Sequence, residues 1–278
     1  IESEMADAIE FVEMGEAESD ADYAARAAGE LEAKIEELGP QSVLAFVAEP
    51  VVGATAGALA PVPGYFKRIR EICDQYGILL IYDEVMTGAG RTGKYFAAEH
   101  WGIVPDILAV SKGLAAGYAP LGAMIAPDRI VGPVLDHGGF IHGYTYAGNP
   151  LACAAGNGVL DVIEQDNLLE NAATNGAALK DELTKLADDF AMIGDVRGKG
   201  LLLAVELVKD RDSMEPIDPK HMAAARLVDI AYDMGLTDKM QIVVPNLTLS
   251  MAAQEGATVM EGILTLKVLR PQKEAFTP

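Results

Sequence analysis

The strongest constraint on the fold is an apolar run, an amphipathic run and a second apolar run placed one after another. The segment SVLAFVAEP at 42–50 is rich in Val and Phe and closes on a carboxylate and a proline, as a buried strand does when it leaves a sheet. GYFKRIREICDQY at 64–76 then spaces Phe66, Ile69, Ile72 and Cys73 along one helical face and stops before Gly77. ILLIYDE at 78–84 is again a buried strand. Strand, helix and strand in this order predict a right-handed parallel crossover, and sheets of that kind gather their chemistry at the carboxyl ends of the strands.

The flanking sequence extends the pattern. YAARAAGELEAKIEEL at 23–38 reads as an amphipathic helix ending at Gly39-Pro40. DILAV at 106–110 and GAMIAP at 122–127 are strand-like. Pro150 opens a helical stretch full of small residues, and a further helix is expected over about 168–188. MIGDVRGKGLLLAVELV carries two strand-like runs separated by Gly198 and Gly200, which reads as the opening of a smaller C-terminal domain, with the boundary between 165 and 190.

Charge and composition narrow the function. The 278 residues hold 42 acidic and 21 basic side chains, a formal charge of −21 that would repel a phosphate backbone and argues against a nucleic-acid partner. The first 40 residues carry 13 carboxylates against Arg26 and Lys34, so residues 1–22 read as a solvated acidic lead-in. No apolar run reaches the roughly 18 to 20 residues of a membrane span. Two cysteines 80 residues apart, Cys73 and Cys153, fit a reducing compartment, and the cytoplasm is the expected location. His100, His137, His142 and His221 show no metal-ligand spacing, so no metal site is expected.

Two features carry chemistry. An apolar strand ending in Asp83-Glu84 could hold magnesium in a nucleotide triphosphatase, and GAGRTGK at 88–94 comes near a phosphate-binding loop. That loop needs Ser or Thr directly after its lysine, where Tyr95 stands, and must precede the acidic strand rather than follow it. An acidic ATPase is therefore the third-ranked reading. Lys112, in Ser111-Lys112-Gly113 just past DILAV, is the second feature. A lysine at the functional edge of a sheet can act as an amine nucleophile toward a carbonyl, and Asp83 on another strand end could keep a pyridine nitrogen protonated. Taken singly, each reads as an ordinary surface charge.

Together, AFVAEPVVGATAG, LLIYDEVMTGAGRTGKYFAAEHWGIVPDILAVSKGLAAGYAPLGAMI and HGYTYAGNPLACAA resemble, in order and spacing, the class III pyridoxal-phosphate aminotransferases, the group of the omega-amino acid transaminases. The likeness covers about residues 23–208. It implies a type I pyridoxal-phosphate fold: an α/β large domain with a mostly parallel sheet, here incomplete, over 23–175, and a small α/β domain over 176–278. It implies that Lys112 attaches pyridoxal 5'-phosphate and shuttles the proton, that Asp83 partners the pyridine nitrogen, and that Val85 packs on one ring face. Thr145, with Tyr144 beside it, matches the phosphate-binding hydroxyl that reaches across a homodimer into the partner's site. Glu49 matches the carboxylate near the substrate. The reaction implied moves an amino group from an amine or omega-amino acid to a keto acid such as pyruvate or 2-oxoglutarate. The rival reading is a non-catalytic relative that acts as a dimerisation partner.

Family members are longer, and the expectation is an N-terminal truncation relative to them: residues 1–22 contain no Gly-Ser phosphate turn and only Phe11 as an aromatic. The family's Arg before a Pro-Pro-Leu run has no counterpart in QIVVPNLTLS at 241–250, and Arg270-Pro271 stands much later. Arg91 is expected to be structural, pairing with a carboxylate or with backbone carbonyls.

Overall fold

The structure, a computed structural model, describes residues 14, 15, 17–53, 55–141, 143 and 145–233. Its first sheet has four strands in the order β1 (Ala45–Ala48), β2 (Leu79–Asp83), β3 (Ile107–Val110) and β4 (Ala123–Ile125). The first three are parallel, as the crossover pattern predicts, and β4 runs antiparallel along the edge. Ala48 lies opposite Tyr82 and Asp83 opposite Ala109, so the three parallel strands end at nearly one level.

Helix α1 (Asp20–Leu38) starts three residues earlier than the apolar spacing alone indicates. Ser19 caps it by accepting from the Asp22 N–H, and Asp20 and Asp22 sit favourably against the positive end of the helix. Residues 20–22 of the expected acidic lead-in are therefore helical. Helix α2 (Tyr65–Tyr76) fills the crossover between β1 and β2 and ends at Gly77, whose left-handed φ of 69° lets its N–H bond back to the Cys73 carbonyl. Leu31 and Ile35 of α1, Phe66, Ile69 and Ile72 of α2, and Leu80 and Tyr82 of β2 form one buried core. Each of the Leu, Ile and Phe side chains contributes roughly 1.5–3 kcal/mol by leaving water. Phe66 meets Tyr82 edge-on at 4.9 Å and Trp101 at 5.6 Å.

A short helix, α3 (Asp128–Asp136), follows β4 and has no signal in the sequence reading, because Gly132 and Pro133 stand inside it. Helix α4 (Pro150–Gln165) is capped by the Asn149 side chain, and α5 (Leu168–Asp189) follows after two residues. The second sheet is an antiparallel ribbon of β5 (Ile193–Lys199), β6 (Leu202–Asp210) and the short β7 (Glu215–Pro216). Helix α6 (Ala223–Asp233) completes the described chain. The stretch 241–250 and Arg270-Pro271 lie outside the described residues.

The ribbon is seated against the turns that leave the first sheet. Gly200 has a left-handed φ of 54°, and a Cβ there would strike the Thr92 carbonyl carbon and lie 2.6 Å from its oxygen. The Leu201 N–H donates to the Arg91 carbonyl at 3.0 Å. Leu202 and Ala204 of β6 are buried with Val51 and Ala58 of the loop that follows β1.

Candidate active site

Parallel pairing brings the carboxyl ends of β1, β2 and β3 to one edge of the sheet, and those ends deliver Glu49, Asp83 and the turn that begins at Lys112. The arrangement follows from the alternation of strand side chains. Along β2, Leu80 and Tyr82 point into the α2 core, and Glu84 continues that side; Asp83 takes the opposite one.

Asp83 is held by its own backbone turn, with Oδ1 accepting from the Val85 N–H at 2.9 Å. Oδ2 has no hydrogen-bond partner among the described residues. Val85 is half-buried immediately beyond it. Glu49 is half-buried, and its Oε2 accepts from the Gly53 N–H at 2.8 Å. Burial lifts the Glu49 pKa above the usual carboxylate range. The Gly53 N–H pulls it back, the negative charge of Asp83 adds to the rise, and the Lys112 amine opposes it. Glu49 therefore feels the charges of both Asp83 and Lys112.

Lys112 opens a 3-10 turn, Lys112–Ala115, directly after β3. Its side chain is exposed, and its φ of 39° is left-handed, an uncommon setting for a residue with a Cβ. The turn is fixed from two sides. The Ser111 hydroxyl donates to the Leu121 carbonyl at 2.9 Å, and a Cβ at Gly113 would come within 3.0 Å of the Ala89 methyl.

Thr145 lies in the turn before α4, exposed and without a hydrogen bond to any described residue. Nothing in the described residues joins it to Glu49, Asp83 and Lys112. Tyr144 lies outside the described residues. Arg91 departs from expectation: its guanidinium pairs with no carboxylate or carbonyl among the described residues, and burial pushes its pKa down. Its backbone carbonyl, through Leu201, is what contributes to the structure.

The sequence reading missed what Glu84 does. The side chain is fully buried; Oε2 accepts from Thr87 Oγ1 at 2.6 Å and the Ala97 N–H at 2.8 Å, while Oε1 accepts from the Ala98 N–H at 2.8 Å. One carboxylate thus pins both ends of the 84–98 segment that carries Val85 and the GRTG turn. Strand alternation was the available signal, since Glu84 shares the core side with Leu80 and Tyr82. Asp106 does comparable work before β3, accepting from the Leu80 N–H at 2.7 Å, from Arg70 at 2.8 Å and from Arg129.

A parallel sheet that gathers an amine and two carboxylates at its carboxyl edge defines an α/β protein with its chemistry at the strand ends. Comparison with known proteins makes that class specific. The sequence model for "Aminotransferase class-III" matches residues 4–264. The chain is 40% identical over 220 residues to an uncharacterized aminotransferase of Bacillus subtilis, covering 79% of this chain and 50% of that protein. It is 40% identical over 202 residues to the taurine–pyruvate aminotransferase of Bilophila wadsworthia, covering 71% and 44%. Among solved structures, an amine transaminase from an uncultivated Pseudomonas species in its PLP-bound form aligns with a TM-score of 0.71 at 45% identity, covering 74% of this chain and 47% of that one. The fold is therefore that of the type I pyridoxal-phosphate-dependent transferases. The chain belongs to the class III aminotransferases, and it spans about half the length of the relatives it matches.

Proposed function

We propose that the protein is a pyridoxal-phosphate-dependent aminotransferase that moves an amino group from an amine or omega-amino acid to a keto acid such as pyruvate or 2-oxoglutarate. The observation that carries this reading is the convergence of Glu49, Asp83 and Lys112 on one sheet edge, in a chain of the class III family. The residues suit the cofactor's chemistry: an accessible primary amine for an aldehyde, a carboxylate with one unoccupied oxygen for a pyridinium nitrogen, and an apolar Val85 beside that carboxylate for a ring face. When bound, pyridoxal phosphate supplies the aldehyde that captures amines and a ring that withdraws electrons from the substrate carbon.

In this reading Lys112 Nζ would hold the cofactor through its aldehyde and, once an incoming donor amine takes that bond and releases it as a free amine, would carry a proton from one carbon to another. The Asp83 carboxylate would favour a protonated, positively charged pyridine nitrogen. Its Oδ1 bond to the Val85 N–H fixes the aim of Oδ2, so little reorganisation is needed during the reaction. Glu49 contributes a carboxylate beside the substrate, and Thr145 and Tyr144 bind phosphate in the partner subunit of a homodimer. The dimer would cover apolar side chains that stand in water here, among them Tyr118, Ile141, Tyr146 and Leu151, all more than three-quarters exposed. The same reading places the protein in the reducing cytoplasm, with free thiols at Cys73 and Cys153.

The test is a titration with pyridoxal phosphate followed by visible spectroscopy. The reading requires a new visible band in the wild type that is absent in Lys112→Ala. A band of equal strength in Lys112→Ala would refute it.

A further inference from the structure

The loop that follows β1, from Glu49 to Leu59, packs against β6. Its base is closed by an antiparallel bridge in which the Val52 N–H donates to the Leu59 carbonyl at 2.8 Å, and inside it the Gly57 N–H donates to the Gly53 carbonyl at 2.9 Å. Gly53 is the contact with the site, since its N–H holds Glu49 Oε2. A larger residue there would have to displace its neighbours: a Cβ would run into the Met86 sulfur and lie 3.1 Å from Glu49 Oε2. Ala58 keeps a left-handed φ of 52°, a conformation that a residue with a Cβ holds only when its surroundings impose it.

A side chain from far along the chain holds this loop. Arg197, in the middle of β5, donates from Nε to the Gly57 carbonyl at 2.8 Å and from Nη2 to the Ala56 carbonyl at 3.0 Å. Its Nη1 donates to Asp195 at 2.9 Å and to Glu206 on the adjoining strand, so two carboxylates set the plane of the guanidinium. The side chain is only 15% exposed. Val51 and Ala58 on the loop are buried against Leu202 and Ala204 on β6, which gives the polar clamp an apolar backing. A lysine could not replace this arrangement, because one ammonium lacks the planar fork that meets two successive carbonyls and two carboxylates at once.

We infer that Arg197 is a positioning residue for Glu49: by gripping the carbonyls of Ala56 and Gly57 it holds closed the loop whose Gly53 N–H keeps the Glu49 carboxylate beside Asp83 and Lys112. The inference rests on the reading of Glu49 as a member of the site. It makes the β5–β6 ribbon part of the machinery that shapes the sheet edge, through a contact that spans 140 residues of sequence.

Amide hydrogen exchange and a carbon-13 titration of the labelled Glu49 carboxyl test it in the intact chain. In Arg197→Lys, exchange at the Gly53 and Gly57 amides should rise at least tenfold while the Leu80 amide in β2 keeps its protection. The Glu49 carboxyl should also titrate further above the ordinary glutamate range, because the Gly53 N–H that pulls it down no longer holds it. A merely structural arginine would leave that titration unmoved. If Arg197→Lys loosens Leu80 as well, the milder Glu206→Gln, which disturbs only the aim of the guanidinium, must show the same selective change at Gly53, Gly57 and Glu49. Unchanged Gly57 exchange in both variants overturns the inference, as does a loosened loop with an unmoved Glu49 titration. The functional reading of Glu49 fails separately: Glu49→Gln would then leave pyridoxal phosphate capture and turnover unchanged even though Arg197→Lys moves the Glu49 titration.

Discussion

Replacing Glu84 by Ala should be among the most damaging single changes available near the site, and the structure gives the size of the effect. The carboxylate is completely buried and accepts from two backbone N–H groups and one hydroxyl, all between 2.6 and 2.8 Å. Truncation leaves the Ala97 N–H, the Ala98 N–H and the buried Thr87 hydroxyl without an acceptor, at about 1–3 kcal/mol each. Relief from burying a charge offsets part of that loss, since burial lifts the Glu84 pKa despite its three donors. The net expectation is a loss of about 3 kcal/mol, a large fraction of the roughly 5–15 kcal/mol typical of a folded protein. Glu84→Gln should lie between wild type and Ala: its carbonyl oxygen can still serve Ala97 and Thr87, but its amide nitrogen then faces the Ala98 N–H. Urea unfolding measures both, read as a shift in midpoint at constant slope. An Ala variant within about 0.5 kcal/mol of wild type would refute the argument, as would a Gln variant less stable than Ala.

Three further outcomes follow from other contacts. Gly200→Ala forces a Cβ into the Thr92–Gly93 backbone in a left-handed conformation, so it should cost more than about 2 kcal/mol by thermal unfolding; a near-neutral result would mean that the ribbon does not sit on the GRTG turn. Lys112 also has a left-handed φ, so Lys112→Gly should be more stable than Lys112→Ala by about 1 kcal/mol in urea, and equal stability would contradict that backbone geometry. Burial alone would raise the Asp106 pKa, but the Leu80 N–H, Arg70 and Arg129 together hold it below the usual range. Its contribution to stability is thus present above the unfolded aspartate value of about 3.9 and lost as pH falls through the folded one; Asp106→Asn should flatten that acid limb in a pH series of melting temperatures, and an unaltered limb would argue against the network.

Legibility in the sequence tracks how local each determinant is. The β1–α2–β2 crossover could be read because Phe66, Ile69, Ile72 and Cys73 mark one helical face between two apolar runs, and all four are buried. Lys112 and Asp83 were legible as strand-end residues for the same reason. Helix α3 was not, because Pro133 and Gly132 oppose helix locally and the chain adopts one anyway. Start of α1 at Asp20 depended on the Ser19 cap, a signal that the apolar spacing does not contain. The roles of Glu84 and Arg197 depend on partners 13 to 141 residues away, and no local pattern announces such contacts.

In the proposed function, one lysine at the carboxyl ends of the parallel strands attaches the cofactor. Incubation with pyridoxal phosphate, borohydride reduction and peptide mapping test it directly. The expected result is a stable label on the peptide containing Lys112, lost in Lys112→Ala and not redistributed to other sites. A label on Lys94, or one scattered over surface lysines with Lys112 unmodified, would contradict it.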